Sequence, residues 1–176
     1  MVANAPRRVV CDQGFAMASA CATSIMGHRV YQQIRDAQVE HTVFWTDAET
    51  GIECKARFDV LGPLLVDLKT TRDASPRGFQ RAIATYGYHI QAAHYMAGAI
   101  ANGMEPRGFL FACVETSAPY LAAGYLMGNP TLEQGERERR EALTTYAQCL
   151  RDDRWPGYND DRIEVIDLPE WAWKDE

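Results

Sequence analysis

Two short runs between residues 52 and 70 alternate apolar and polar side chains and meet at Leu61-Gly62-Pro63, a pattern that fits an antiparallel pair of strands. In the first run Ile52, Cys54, Ala56 and Phe58 alternate with Glu53, Lys55, Arg57 and Asp59. In the second, Leu64, Val66 and Leu68 alternate with Leu65, Asp67 and Lys69. Side chains two apart on a strand point the same way, so Asp67 and Lys69 share a face. Asp59 is placed on the polar face of its own run, and pairing across a short turn brings it near Asp67. The expectation is a hairpin with two carboxylates and an amine together.

The rest of the chain supplies helices and further strands around this pair. Residues 12–37 are rich in Ala and Met with apolar side chains three and four apart, which predicts one helix or two joined near Met26-Gly27. Residues 1–12, with Pro6 and a short Val9-Val10 strand-like piece, are expected to be loose. Residues 39–45 are β-branched and aromatic, and TDAETG after them has turn chemistry.

Beyond the hairpin, a polar loop leads into a helix expected over 79–102. Tyr88, Gln91 and Tyr95 line one of its faces where an ordinary surface helix carries Glu and Lys. Two strand-like runs follow, 108–116 and 120–127, the first apolar enough for a central strand. Asn129-Pro130-Thr131 opens a long helix to about residue 151, with Glu and Arg on its exposed face. A short strand at 163–166 and an apolar 168–173 that docks the tail complete the expectation.

Length and composition exclude several classes. A chain of 176 residues can bury a continuous core as one domain over 1–176. No apolar run approaches the roughly 20 residues of a bilayer span, and no signal-peptide core opens the chain, so a cytoplasmic protein without a membrane partner is expected. The five cysteines lack a CxxC pair and read as small apolar side chains. A net charge of −6 argues against a broadly basic surface, yet Arg57, Lys69, Arg72, Arg77 and Arg81 cluster in sequence while acidic residues gather later. Charge segregated in this way fits a local basic site on an acidic body.

A hard divalent cation such as Mg²⁺, with Mn²⁺ as a substitute, prefers carboxylate oxygens, and phosphodiester hydrolysis needs a cation and an activated water. Asp59, Asp67 and the Leu68 backbone carbonyl are candidate metal ligands, with Glu40 as an additional one. Lys69 is placed to orient water or to stabilise phosphate charge. Arg57, Arg72, Arg77, Arg81 and Tyr88 are candidate DNA contacts. His28, His89 and His94 read as helix-end, helix-face or core-edge side chains, Glu115 as paired with an arginine, and Trp155, Trp171 and Trp173 as packing anchors.

GIECKARFD, then VDLKTT with Asp-x-Lys in place of Glu-x-Lys, then FQRAIATYGYHIQAAHY with its Gln91-x-x-x-Tyr95 element together resemble the PDDEXK nuclease superfamily, in particular its RecE-like (exodeoxyribonuclease VIII-like) branch. Weaker similarity runs through FACVET, WPGY and LPEWA. The resemblance implies an α/β fold with a restriction-endonuclease-like core, a mixed central β-sheet flanked by helices. It also implies a Mg²⁺-dependent exonuclease acting 5′ to 3′ from double-stranded DNA ends in phage or bacterial recombination, as a ring-shaped homo-oligomer with a single-strand annealing partner. Asp59 and Asp67 would be metal ligands, Lys69 the catalytic lysine, and Gln91 and Tyr95 would hold the DNA or the geometry of the site. The branch also carries a metal-ligating His on a helix far upstream. Only 58 residues precede Asp59, so the expectation is a chain lacking the branch's N-terminal part. A weakly catalytic DNA-binding or assembly subunit and an endonuclease are the alternatives.

Overall fold

A computed structural model describes residues 11–173; the expected loose terminus and its Val9-Val10 piece lie outside them, apart from residues 11 and 12. Five strands form one mixed sheet: β1 (Gln38–Thr46), β2 (Glu53–Leu61), β3 (Leu65–Thr71), β4 (Phe109–Glu115) and β5 (Ala122–Leu126). They are ordered as numbered, with β3 and β4 parallel and the other neighbours antiparallel. A parallel step needs a crossover, and the 37 residues between Thr71 and Phe109 provide it as two helices, α2 (Pro76–Tyr86) and α3 (Tyr88–Ala101). A further helix, α4 (Asn129–Asp152), packs on α3.

Each sheet face has its own core. On the α3 side Val43, Ala56, Phe58, Leu65, Phe109, Phe111 and Cys113 pack against Phe79, Ala92 and Ala99. On the other, Val60, Val66, Leu110 and Ala112 are covered by Val30, Ile25 and Ile34, from α1 (Asp12–Gly27) and the short 3-10 helix Arg29–Gln33 with its flank. The expected break near Gly27 therefore occurs, and His28 caps the 3-10 helix by accepting from the Val30 N–H at 3.1 Å. All six residues from Phe109 to Val114 are buried, as a central strand covered on both faces requires.

The helix expected over 79–102 is two helices. Gly87 sits at φ +65°, a left-handed conformation that closes α2 and starts α3 in a new direction. The first helix also begins earlier than expected, because Ser75 accepts from the Gly78 N–H at 3.1 Å and Pro76 takes the first-turn position.

The end of the chain departs further from expectation. Residues 163–166 form no strand: Ile163, Val165 and Ile166 are more than 90% exposed. An alternating run becomes a strand only when a sheet edge pairs with it, and none does among the described residues. Leu168, Trp171 and Trp173 are likewise exposed and join neither buried core cluster; Trp155 packs edge-on against Tyr146 at 5.6 Å. No helix among the described residues is long and apolar enough to cross a membrane.

Candidate active site

The hairpin expected from the alternation forms and then opens. β2 and β3 pair at Leu61–Leu65 and Val60–Val66, and the ladder stops there, one step before Asp59 and Asp67. Strict alternation would place Asp59 with Lys55 and Arg57 on the outer face, but Phe58 packs in the α3-side core and Val60 in the opposite one, so the strand turns over at Asp59. Glu40, between the β1 residues that pair with Phe58 and Val60, has φ +56° at the same level. The Asp59 carboxylate consequently enters the split between β2 and β3 and accepts the Leu68 N–H through Oδ2 at 2.8 Å. The N–H and C=O of one strand residue leave on the same side, so the Leu68 carbonyl faces this split as well.

Asp67, Lys69 and Gln91 form a closed network across β3 and α3. Gln91 Nε2 donates to Asp67 Oδ1 at 2.7 Å, and Lys69 Nζ donates to Gln91 Oε1 at 2.9 Å. Lys69 Nζ also lies 2.7 Å from Asp67 Oδ2, off the direction of a well-aligned hydrogen bond. That oxygen is thus buried beside a counter-charge with no directed donor. Burial pushes the Asp67 carboxyl up, Lys69 pulls it back, the nearby Asp59 charge adds to the rise, and the net direction is upward. The Asp67 side chain is 4% exposed and that of Lys69 19%, so the pair is sheltered from screening.

An undonated carboxylate oxygen next to a second carboxylate and a strand carbonyl suits a small hard cation, which is held by one or two carboxylates and keeps several waters. Among the described residues no three His, Cys, Asp or Glu side chains gather around one point. The side chains and backbone that could hold such a cation are Asp59, Asp67 and the Leu68 carbonyl. Glu40 turns its carboxylate to Arg57 at 3.0 Å, with both side chains exposed.

The remaining candidates divide. Tyr95, half-buried, packs edge-on against the core residues Phe58 and Phe109 at 5.5 and 6.2 Å. Arg72, Arg81 and Tyr88 share a cleft of about 620 Å³ with Thr70 and Thr71, next to Lys69. Arg77 is exposed but does not line that cleft, and Arg57 is engaged with Glu40. Glu115, expected to pair with an arginine, instead accepts the Ala74 N–H at 3.0 Å, because the end of β4 meets the loop that leads to α2. His89 bonds Glu138 at 3.0 Å, and His94 tilts onto Trp45, its pKa held down by burial. Burial pushes the Cys113 thiol up to about 11, so thiolate chemistry is not available there.

Two features escaped the sequence reading. Lys69 Nζ stands over the Tyr88 ring, 4.6 Å from its centroid; the one signal for it was the shared helix face of Tyr88 and Gln91. Arg139, on the helix face expected to be solvated, is buried and pairs with Asp47 at 3.1 Å and Glu136 at 2.7 Å, pinning α4 to the β1–β2 turn. Sequence separation of 92 residues between Arg139 and Asp47 hides that pairing from any local pattern.

The chain belongs to a family described as a PDDEXK-like domain of unknown function (DUF3799), whose model matches residues 1–169. No curated protein matches the sequence. Among solved structures, a candidate exonuclease from Eubacterium rectale is similar with a TM-score of 0.67 at 16% identity, over 93% of this chain and 65% of that one. This chain therefore spans less than two thirds of that protein's length, and the likeness is one of fold. The mixed sheet with flanking helices is the PDDEXK-like nuclease fold.

Proposed function

We propose that this member of a PDDEXK-like family hydrolyses DNA phosphodiester bonds with a divalent cation, Mg²⁺ or in its place Mn²⁺, held by Asp59, Asp67 and the Leu68 carbonyl. The observation that carries the reading is the buried Asp67–Lys69–Gln91 network beside the split where Asp59 enters. When bound, the cation supplies charge neutralisation at the phosphate and lowers the pKa of a coordinated water. Asp59 at the split and Asp67 buried beside it would hold the cation between their carboxylates, and Gln91 fixes the orientation of Asp67 and Lys69 together. Lys69 directs its ammonium at the attacking water or a non-bridging phosphate oxygen. In the balanced step the water oxygen bonds to phosphorus as the bond to the leaving sugar oxygen breaks; that oxygen takes up a proton and the water gives one up.

Arg72 and Arg81 on the adjoining cleft suit the phosphate backbone of a strand leading to the site. In finer detail we read the protein as a RecE-like exonuclease that works from duplex ends, 5′ to 3′, in phage-type recombination, as a homo-oligomeric ring with a single-strand annealing partner. One observation favours a second reading, a weakly catalytic DNA-binding or assembly subunit: two carboxylates, not three ligating side chains, stand at the site among the described residues. End-labelled linear duplex with Mg²⁺ or Mn²⁺ decides between them. Digestion by the wild type that disappears in Lys69→Ala and Asp67→Asn supports the exonuclease. DNA retained without digestion supports the subunit, and nicking of closed circular DNA moves the assignment to an endonuclease.

A further inference from the structure

We infer that Tyr88 is a positioning residue that holds the Lys69 ammonium over its ring so that Lys69, Gln91 and Asp67 meet in one fixed arrangement. The inference rests on the reading of Lys69 as the amine of the hydrolytic site. A lysine side chain is a point charge on a flexible four-carbon stem, and two oxygens alone leave it free to swing about their common direction. Here Asp67 Oδ2 at 2.7 Å and Gln91 Oε1 at 2.9 Å approach the ammonium, and the Tyr88 ring, 4.6 Å from Nζ, occupies another side. That distance lies within the range in which a ring face attracts a cation. An ammonium has three N–H donors; one is directed at Gln91 Oε1, and the charge rests against Asp67 Oδ2 without a directed bond, so a further N–H is left to point at the substrate.

The ring is itself held. Its centroid is 5.7 Å from that of Phe111, 6.2 Å from Phe79 and 5.5 Å from Tyr86. Gly87, at φ +65°, makes Tyr88 the first residue of α3, three positions before Gln91 and on the same helix face. One backbone turn thereby delivers both contacts to Lys69. The phenol oxygen plays no part in this role; the π face does.

The test uses the full chain with Tyr88→Phe, Tyr88→Leu and Tyr88→Trp, read by digestion of linear duplex DNA and by NMR of the Lys69 ε-methylene protons. Tyr88→Phe keeps the ring and is expected to hold kcat within about twofold, while Tyr88→Leu lowers kcat by about tenfold at unchanged KM, the range a sheltered cation–ring contact provides. The ε-methylene protons are expected upfield in the wild type, Tyr88→Phe and Tyr88→Trp, and to return to ordinary shifts in Tyr88→Leu. An unchanged kcat in Tyr88→Leu, or a raised KM at constant kcat, overturns the inference, the latter by making Tyr88 a DNA contact. Ordinary ε-methylene shifts in the wild type overturn it whatever the activity. A wild type that digests nothing but shows the shifted protons sinks the nuclease reading and leaves the lysine seat standing.

Discussion

Gly135→Ala tests how tightly α4 fixes the site, and two effects of opposite sign compete in it. On helix propensity alone, alanine in place of glycine stabilises by about 1 kcal/mol. A Cβ at position 135, however, would lie 2.1 Å from the His89 carbonyl oxygen and 2.6 Å from its carbon. These are backbone atoms of α3, so no rotamer change relieves the contact, and the helices must part by about 1.3 Å to reach ordinary contact. Overpacking of this kind costs about 1–3 kcal/mol, with the upper end expected where both partners are helix backbone. The net expectation is a loss of up to about 2 kcal/mol, or a fall in Tm of up to about 8 °C at this chain length. His89 lies one residue from Tyr88 and two from Gln91, so the same displacement reaches the lysine network, where a misplacement of about 1 Å can lower a rate on the order of a hundredfold. Thermal unfolding by circular dichroism, with digestion of linear duplex in parallel, measures both. A Tm that rises, together with wild-type activity, would refute the argument that α3 and α4 meet backbone to backbone.

Three further outcomes are expected. Asp67→Asn removes a carboxylate whose ionised form is disfavoured by burial, so it should abolish digestion and the Tm rise expected of the wild type with Mn²⁺, while leaving the metal-free Tm equal or higher; a Mn²⁺-dependent rise that survives in the variant would remove Asp67 from the proposed ligand set. Burial raises Asp47, but hydrogen bonds from Thr50 and Arg139 outweigh it and lower its pKa; Arg139 chiefly lowers that of Glu136. Lowered native values contribute stability above the unfolded pKa and lose it as pH falls through the folded one. Arg139→Met should therefore cost about 3 kcal/mol at pH 7, a gap in urea midpoints that narrows below about pH 4; a constant gap would contradict the ion-pair account. Gly87→Ala forces a side chain into φ +65° and should lower stability by about 1 kcal/mol, read as a Tm lower by about 3 °C; an unchanged Tm would mean that the turn between α2 and α3 is not held left-handed.

The exposed tail shows where local pattern misleads. IEVI alternates well enough to read as a strand, and LPEWAW is apolar enough to read as an anchor, yet nothing in either run names a partner; among the described residues the first pairs with no strand and the large side chains of the second stay exposed. The helix over 79–102 failed for a related reason: Gly87 inside a periodic run costs little locally, and only the need to turn the crossover back toward β4 makes it a break.

Residue period and side-chain chemistry account for part of this protein without any tertiary contact. The alternation around Gly62-Pro63 specified the hairpin, the apolar run at 108–116 the central strand, and the ordered set Asp59, Asp67, Lys69, Gln91 and Tyr95 pointed to the PDDEXK fold. How that set is arranged depends instead on packing. Asp59 reaches the site because β2 turns over and parts from β3, Tyr95 packs on the aromatic core while Gln91 bridges Asp67 and Lys69, and Tyr88 comes to lie beneath the amine. Strand period assigns a face but not a twist, and helix spacing assigns a shared face but not what the opposing sheet presents to it. Those depend on contacts between residues far apart in the chain, which become visible only once both cores are packed.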